Sequence, residues 1–193
     1  GKNNTIINGN FSDTTAIYCE PSSAATANWS VEGASTATNV SALLEGDIIV
    51  KNGGNMKFDG ANLTFSSDFG GQHGINASGE FNILNSTIIG LDSSKTFFFK
   101  VYGNLTVKNS TFRYMYDLGI EVEVYGNASI SEARIDTSAY GVSLKPGSSN
   151  AKVTNSTFSS GDGGIDKGIE MVSSTGNIIF NNTFLLDLTG YAI

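Results

Sequence analysis

Cysteine, histidine and proline are nearly missing from these 193 residues: there is Cys19, His73, and Pro21 with Pro146. A single thiol cannot close an internal disulfide, so Cys19 is either a buried free thiol or half of a bond between subunits. A single histidine cannot build a histidine-based metal site or a paired histidine acid and base. Charge is sparse too: 15% of residues are charged, the net charge is −7, and Arg113 and Arg134 are the only arginines. The basic residues are scattered, which argues against nucleic acid and against an anionic membrane surface as partners. No apolar run approaches the ~18 residues that span a bilayer. No signal peptide is visible, so an exported chain is expected here in mature form. No segment has the period of an amphipathic helix.

What fills the chain is asparagine (20 residues) and glycine (23), interleaved with β-branched and aromatic residues. That mixture is not a disordered one. A phrase recurs through it. Val107-Lys108-Asn109-Ser110-Thr111-Phe112 returns as Ile83-Leu84-Asn85-Ser86-Thr87-Ile88, Val153-Thr154-Asn155-Ser156-Thr157-Phe158 and Ile179-Phe180-Asn181-Asn182-Thr183-Phe184. Ile130 to Ile135 is a poorer copy, Ile6-Ile7-Asn8-Gly9-Asn10-Phe11 a good one, and Val31-Glu32-Gly33 and Phe58-Asp59-Gly60 are weaker. The third positions fall at 8, 33, 60, 85, 109, 132, 155 and 181, a steady period of 23 to 27 residues. Such a period marks a solenoid with one supersecondary unit per repeat.

Within a repeat, Leu105 and Val107 alternate with Asn104 and Thr106, the pattern of a strand with one buried face. A second strand starts at Phe112 and its equivalents. A third follows glycine, as in Gly74-Ile75-Asn76-Ala77, Gly119-Ile120-Glu121-Val122 and Gly141-Val142-Ser143-Leu144. Two-residue hairpin turns between equal strands are scarce, so like strands are expected to stack in parallel from coil to coil. The predicted fold is all-β: one parallel β-helix over 1–193, of about eight rungs and roughly 35–40 Å long. Residues 21–54 fit least well and predict a long loop or irregular rung, with Asp47-Ile48-Ile49-Val50 restoring the pattern. Asn8, Asn85, Asn109, Asn155 and Asn181 are expected to stack as a hydrogen-bonded ladder in turns that need the left-handed conformation. Phe11, Leu63, Ile88, Phe112, Ile135, Phe158 and Phe184 are expected to form the internal apolar stack.

The Val-x-Asn-Ser-Thr-Phe phrase and the Gly-Ile-x-Val segment resemble the right-handed parallel β-helix repeats of the pectate-lyase-like superfamily. The copies resemble the asparagine-rich versions in archaeal cell-surface and sheath proteins. The resemblance implies right-handed coiling. It is nearly silent on activity, since this fold hosts lyases, hydrolases, adhesins and structural proteins.

Several residues are candidates for chemistry. Asp68, Asp92, Asp117, Asp162 and Asp187 recur six to eight positions after their anchors. Close carboxylates could act as acid and base or hold calcium, whereas aspartate is also an ordinary turn residue. Asp162-Gly163-Gly164 with Asp166 is the best local calcium candidate, but no calcium-loop spacing is completed and no cofactor is expected. Arg113 and Arg134, in consecutive rungs, are either a shared functional face or a solvated face paired to carboxylates. His73 reads as a surface or turn residue. Tyr102 and Tyr125, with Tyr114, Tyr116 and part of Phe97-Phe98-Phe99, suggest a surface patch for a sugar or a lateral protein contact, or else a bulkier local core. Twelve N-x-Ser/Thr sequons occur. Asn85, Asn109, Asn155 and Asn181 read as buried and structural; Asn76, Asn104 and Asn127 point outward by strand parity and could carry a glycan.

Neither end shows a capping helix. The first strand, at Ile6 and Ile7, begins at once, and the last repeat runs out at Tyr191 and Ile193. Such ends predict a head-to-tail homopolymer with lateral contacts, to which Cys19 could add a covalent link. The expected function is therefore structural: an extracellular, self-assembling β-solenoid of a sheath, surface layer or filament, not an enzyme. The alternative is an extracellular β-helix that binds or cleaves carbohydrate, with glycans as partners.

Overall fold

The computed structural model describes residues 5–7, 10–12, 17–19, 28–123, 125–137, 140–160 and 167–185, with side chains from residue 28 onward except at 137 and 160. Three parallel sheets, each eight strands deep, wrap one apolar core. Each coil contributes one strand to sheet A, then B, then C, before the chain returns to sheet A one level on. Coil 5 shows the plan: Phe97–Val101 in sheet A, Asn104–Lys108 in sheet B, Thr111–Arg113 in sheet C. Among the described residues there is no helix, and none is long and apolar enough to cross a membrane.

The core follows from strand parity. In sheet B, Leu105 pairs with Ala128 and Phe81, and Val107 with Ile130 and Ile83, all buried. In sheet C the inward column runs Ala42, Leu63, Ile88, Phe112, Ile135, Phe158 and Phe184. Phe11, expected in that column, belongs instead to sheet B, paired with Ala37. Aromatic rings link the levels: Trp29, Phe58, Phe81, Phe99 and Phe112 succeed one another with centroids 5.3 to 6.2 Å apart. All four contacts are edge-on or tilted, as the ring quadrupole favours.

The region expected to be irregular is regular over the part described. Asn28–Val31, Ala34–Thr38 and Ser41–Leu44 form a complete coil 2 with alternating burial. Its sheet B strand was hidden because small residues, Ser35 and Ala37, fill its inward positions. That register moves the coil 2 anchor from Gly33 to Asn39, whose φ of 50° matches Asn85, Asn109, Glu132, Asn155 and Asn181 at 49–54°; Gly60 has 69°. The strand before Asn8, Thr5–Ile7, lies in sheet A against Asn28–Val31, and Asn8 itself lies outside the described residues.

The ladder is present, facing outward. Asn109 Nδ2 donates to Asn85 Oδ1 at 3.0 Å, Asn181 to Asn155 at 2.8 Å, and Asn85 to the Asp59 carboxylate at 2.9 Å. These asparagines are exposed, not buried as expected. The left-handed kink turns the asparagine out and the next residue in. The buried column is therefore the one that follows: Val40, Ala61, Ser86, Ser110, Ala133 and Ser156. Its serines bridge coils. The Ala61 N–H donates to Ser86 Oγ, Ser86 N–H to Ser110 Oγ, and Ala133 N–H to Ser156 Oγ, at 3.0–3.1 Å. Each hydroxyl then donates to the carbonyl two residues before it.

Candidate functional site

The outer face of sheet A is where charged side chains converge. Its central outward column reads Ser30, Ile49, Asn76, Lys100, Glu121, Ser143 and Glu170. Glu121 is buried, with Lys100 Nζ at 3.5 Å and Lys145 Nζ at 3.4 Å. Two coils on, Glu170 accepts from Lys167 Nζ at 2.6 Å and from Ser143 Oγ at 3.2 Å. The Lys167 ammonium also sits 5.2 Å from the centre of the Tyr140 ring. These partners fix protonation. The Lys167 hydrogen bond holds the Glu170 carboxyl below its ordinary range, and the same bond raises Lys167.

A bulge builds the wall of this site. The coil 6 strand Met115–Val122 is the longest in the molecule among the described residues. Phe97 pairs with Met115 but Phe99 pairs with Ile120, so residues 116–119 are extruded. Asp117 and Gly119 take positive φ of 40° and 64° to allow it. The extruded Tyr116, Asp117, Leu118 and Gly119 border a groove floored by Phe98, Lys100 and Glu121. The Tyr116 ring lies over Gly70 and Gly71, where a Cβ on Gly71 would come within 2.7 Å of it. The groove thus offers a half-exposed ring beside compensated charges. That chemistry suits polyhydroxylated ligands; Glu170, shifted downward, is an ionised acceptor and not a proton donor at neutral pH.

The sequence-predicted residues fall as follows. Asp68, Asp92 and Asp117 are exposed, the first two in separate turns and Asp117 on the coil 6 bulge. Asp92 caps its turn by accepting from Ser94 and Lys95, which lowers its pKa through the Ser94 hydroxyl first. Asp162, Asp166 and Asp187 lie outside the described residues. Among the described residues no three His, Cys, Asp or Glu side chains gather as a metal would require. Arg134 is bonded to Asp136 at 2.9 Å, Asp136 also accepts from Ser159, and Arg113 lies over the Tyr114 ring at 4.7 Å. Both arginines are exposed, and Arg134 is the one paired with a carboxylate. His73 is buried, contrary to expectation, with Nδ1 3.6 Å from Asp47.

The tyrosine patch divides in two. Tyr114 sits on the connection between sheets C and A and Tyr116 on the bulge that follows it, whereas Tyr102 and Tyr125 sit on turns between A and B. Phe97 and Phe99 are core. Asn104 and Asn127 are exposed and Asn76 is half-buried. The Cys19 backbone pairs with Leu44 in sheet C and Ile6 pairs with Trp29 in sheet A, while Tyr191 and Ile193 lie outside the described residues. Sequence reading missed the Glu121 and Glu170 clusters, because their members come from different coils and meet only through register.

These features define the class: a three-sheet parallel β-solenoid with a decorated outer face. The model of the right handed β-helix region matches residues 15–185, so the chain belongs to the right-handed β-helix family. No curated protein and no solved structure matches it significantly.

Proposed function

We propose that the chain is a structural, exported β-solenoid that associates with copies of itself and builds a surface layer, sheath or filament. One observation carries the reading. In coil 8 the outward positions turn apolar: Ile178 is 54% exposed, Phe180 67% and Leu185 59%. Their register partners in coil 7 are Lys152, Thr154 and Ser159. Three apolar side chains exposed together on one level, where the preceding coil carries lysine, threonine and serine, suit a contact with a second copy. Replacing Ile178 by Lys and Phe180 by Thr restores the coil 7 pattern. In sedimentation velocity over a dilution series, the wild-type chain is expected to associate with concentration and the double variant to remain monomeric. Wild-type monomers at every concentration would sink the reading.

The groove on sheet A favours a second reading, carbohydrate binding at Tyr116, Lys100 and Glu121. Calorimetric titration with neutral and acidic oligosaccharides tests it. Tyr116→Ala is expected to weaken binding about tenfold, as loss of a ring contact worth about 1.4 kcal/mol does; equal binding by the variant removes the groove from consideration.

A further inference from the structure

Coils 5 and 6 carry the same five-residue unit at the corner between sheets A and B: Tyr102-Gly103-Asn104-Leu105-Thr106 and Tyr125-Gly126-Asn127-Ala128-Ser129. Their sheet B strands pair residue for residue, Asn104 with Asn127 and Thr106 with Ser129. Leu105 and Ala128 are buried, so the asparagine and hydroxyl of each unit project together from the outer face, and all four are exposed. Among the described residues neither the Asn104 nor the Asn127 side chain makes a hydrogen bond. The ladder asparagines differ: Asn85, Asn109 and Asn181 each commit Nδ2 to a neighbouring coil at 2.8–3.0 Å.

Two more observations single these units out. The tyrosine two residues before each asparagine is exposed, 40% for Tyr102 and 88% for Tyr125. Neither ring serves the core. Beside Asn104, the stacked glycine turns leave a polar depression bordered by Asn52, Asn55, Ser78 and Glu80. No side chain can fill it from the turn: a Cβ on Gly103 would lie 2.2 Å from the Gly79 carbonyl oxygen. At the same level of coils 3 and 4, Asn55-Met56-Lys57 and Glu80-Phe81-Asn82 have no hydroxyl in the third position.

We propose that Asn104 and Asn127 are acceptors for N-linked glycans, with Tyr102 and Tyr125 packing against the apolar face of the first sugar. The inference rests on the exported placement in the reading above, not on self-association. The donor class is an oligosaccharide carried on a polyprenyl phosphate or pyrophosphate. The asparagine amide nitrogen attacks the anomeric carbon; the new C–N bond forms as the C–O bond to phosphate breaks. The lipid phosphate leaves and one amide proton passes to a base. The outward hydroxyl two residues on completes the acceptor sequence. A sugar on Asn85, Asn109 or Asn181 would instead crowd an amide already committed to the preceding coil.

The test uses the full chain behind a secretory leader in yeast, with a C-terminal sequon tag reporting entry into the secretory membrane. Amidase release in 18O water marks each formerly glycosylated asparagine by mass, and peptides are mapped from total membrane and secreted protein. Marks are expected at Asn104 and Asn127, lost singly in Thr106→Ala and Ser129→Ala, and absent from Asn85, Asn109 and Asn181 in the secreted fraction. Tyr102→Ala with Tyr125→Ala is expected to leave occupancy unchanged and to lower the melting temperature of the glycosylated chain more than that of the Thr106→Ala, Ser129→Ala chain. A marked tag with unmarked Asn104 and Asn127 overturns the proposal. Unmodified chains that still associate would leave the assembly reading standing; modified chains that stay monomeric would do the reverse.

Discussion

Ser110 receives an N–H from the coil before it and returns its own proton to the Lys108 carbonyl, entirely within the buried turn column. Ser110→Ala leaves the Ser86 N–H buried without its acceptor and should cost about 1–3 kcal/mol, read as a lower urea midpoint at unchanged slope. Asn109→Gly keeps the positive φ and loses only an exposed amide bond, so it should cost less, about 0.5–1 kcal/mol. The reverse order would mean that the outer ladder, not the inner serines, joins the coils. Glu170 and Lys167 set a pH dependence. Glu170 is lowered from an ordinary 4.5, so its contribution is present above that pH and is lost as pH falls through the folded value. Lys167 is raised from 10.5, so its contribution holds below that pH and is lost as pH rises through the folded value. Denaturation midpoints measured from pH 3 to 7 should therefore fall less steeply on the acid side for Glu170→Gln than for wild type.

The turns between sheets A and B depend on glycine for two separable reasons. At Gly103 the obstacle is the neighbouring coil, whose carbonyl oxygen leaves no room for a methyl group. At Gly53 there is open space, but φ is +82°. Gly103→Ala should cost about 3 kcal/mol or more, near the top of the usual range, and Gly53→Ala only the left-handed penalty of about 1–2 kcal/mol. Thermal melts of the two variants distinguish crowding from conformation. The same local geometry explains what could be read from sequence. Strand period and the asparagine phrase were legible because large inward residues alternate with polar ones, as from Asn104 to Lys108. Coil 2 was not, since Ser35 and Ala37 are inward without being visibly apolar. The direction of the ladder was not legible, because residue order does not show which side of a left-handed kink faces solvent. The Tyr116 bulge was equally hidden: four extruded residues break the period that the reading relied on. Lys100, Glu121 and Lys145 lie on different coils, so only register reveals that they meet.

At the scale of the molecule, each level touches only its neighbours, and the ring series from Trp29 to Phe112 is one continuous thread through coils 2 to 5. Removing one link should act locally. Phe81→Ala should cost about 3–5 kcal/mol, and hydrogen exchange should accelerate in coils 3 to 5 with little change in coil 7. Uniform acceleration along the rod would instead mean that the solenoid unfolds as one unit. The matched columns carry a further consequence, for how such a chain can change length. Asn85 and Asn109 occupy the same place 24 residues apart, so joining Asn85 directly to Ser110 excises one whole coil and leaves each flanking residue facing an equivalent partner. Length is then quantised in steps of about 4.8 Å. Unequal exchange between repeats of the gene would lengthen or shorten a spacer of constant cross-section, leaving its two termini and its decorated levels to be dealt out along it.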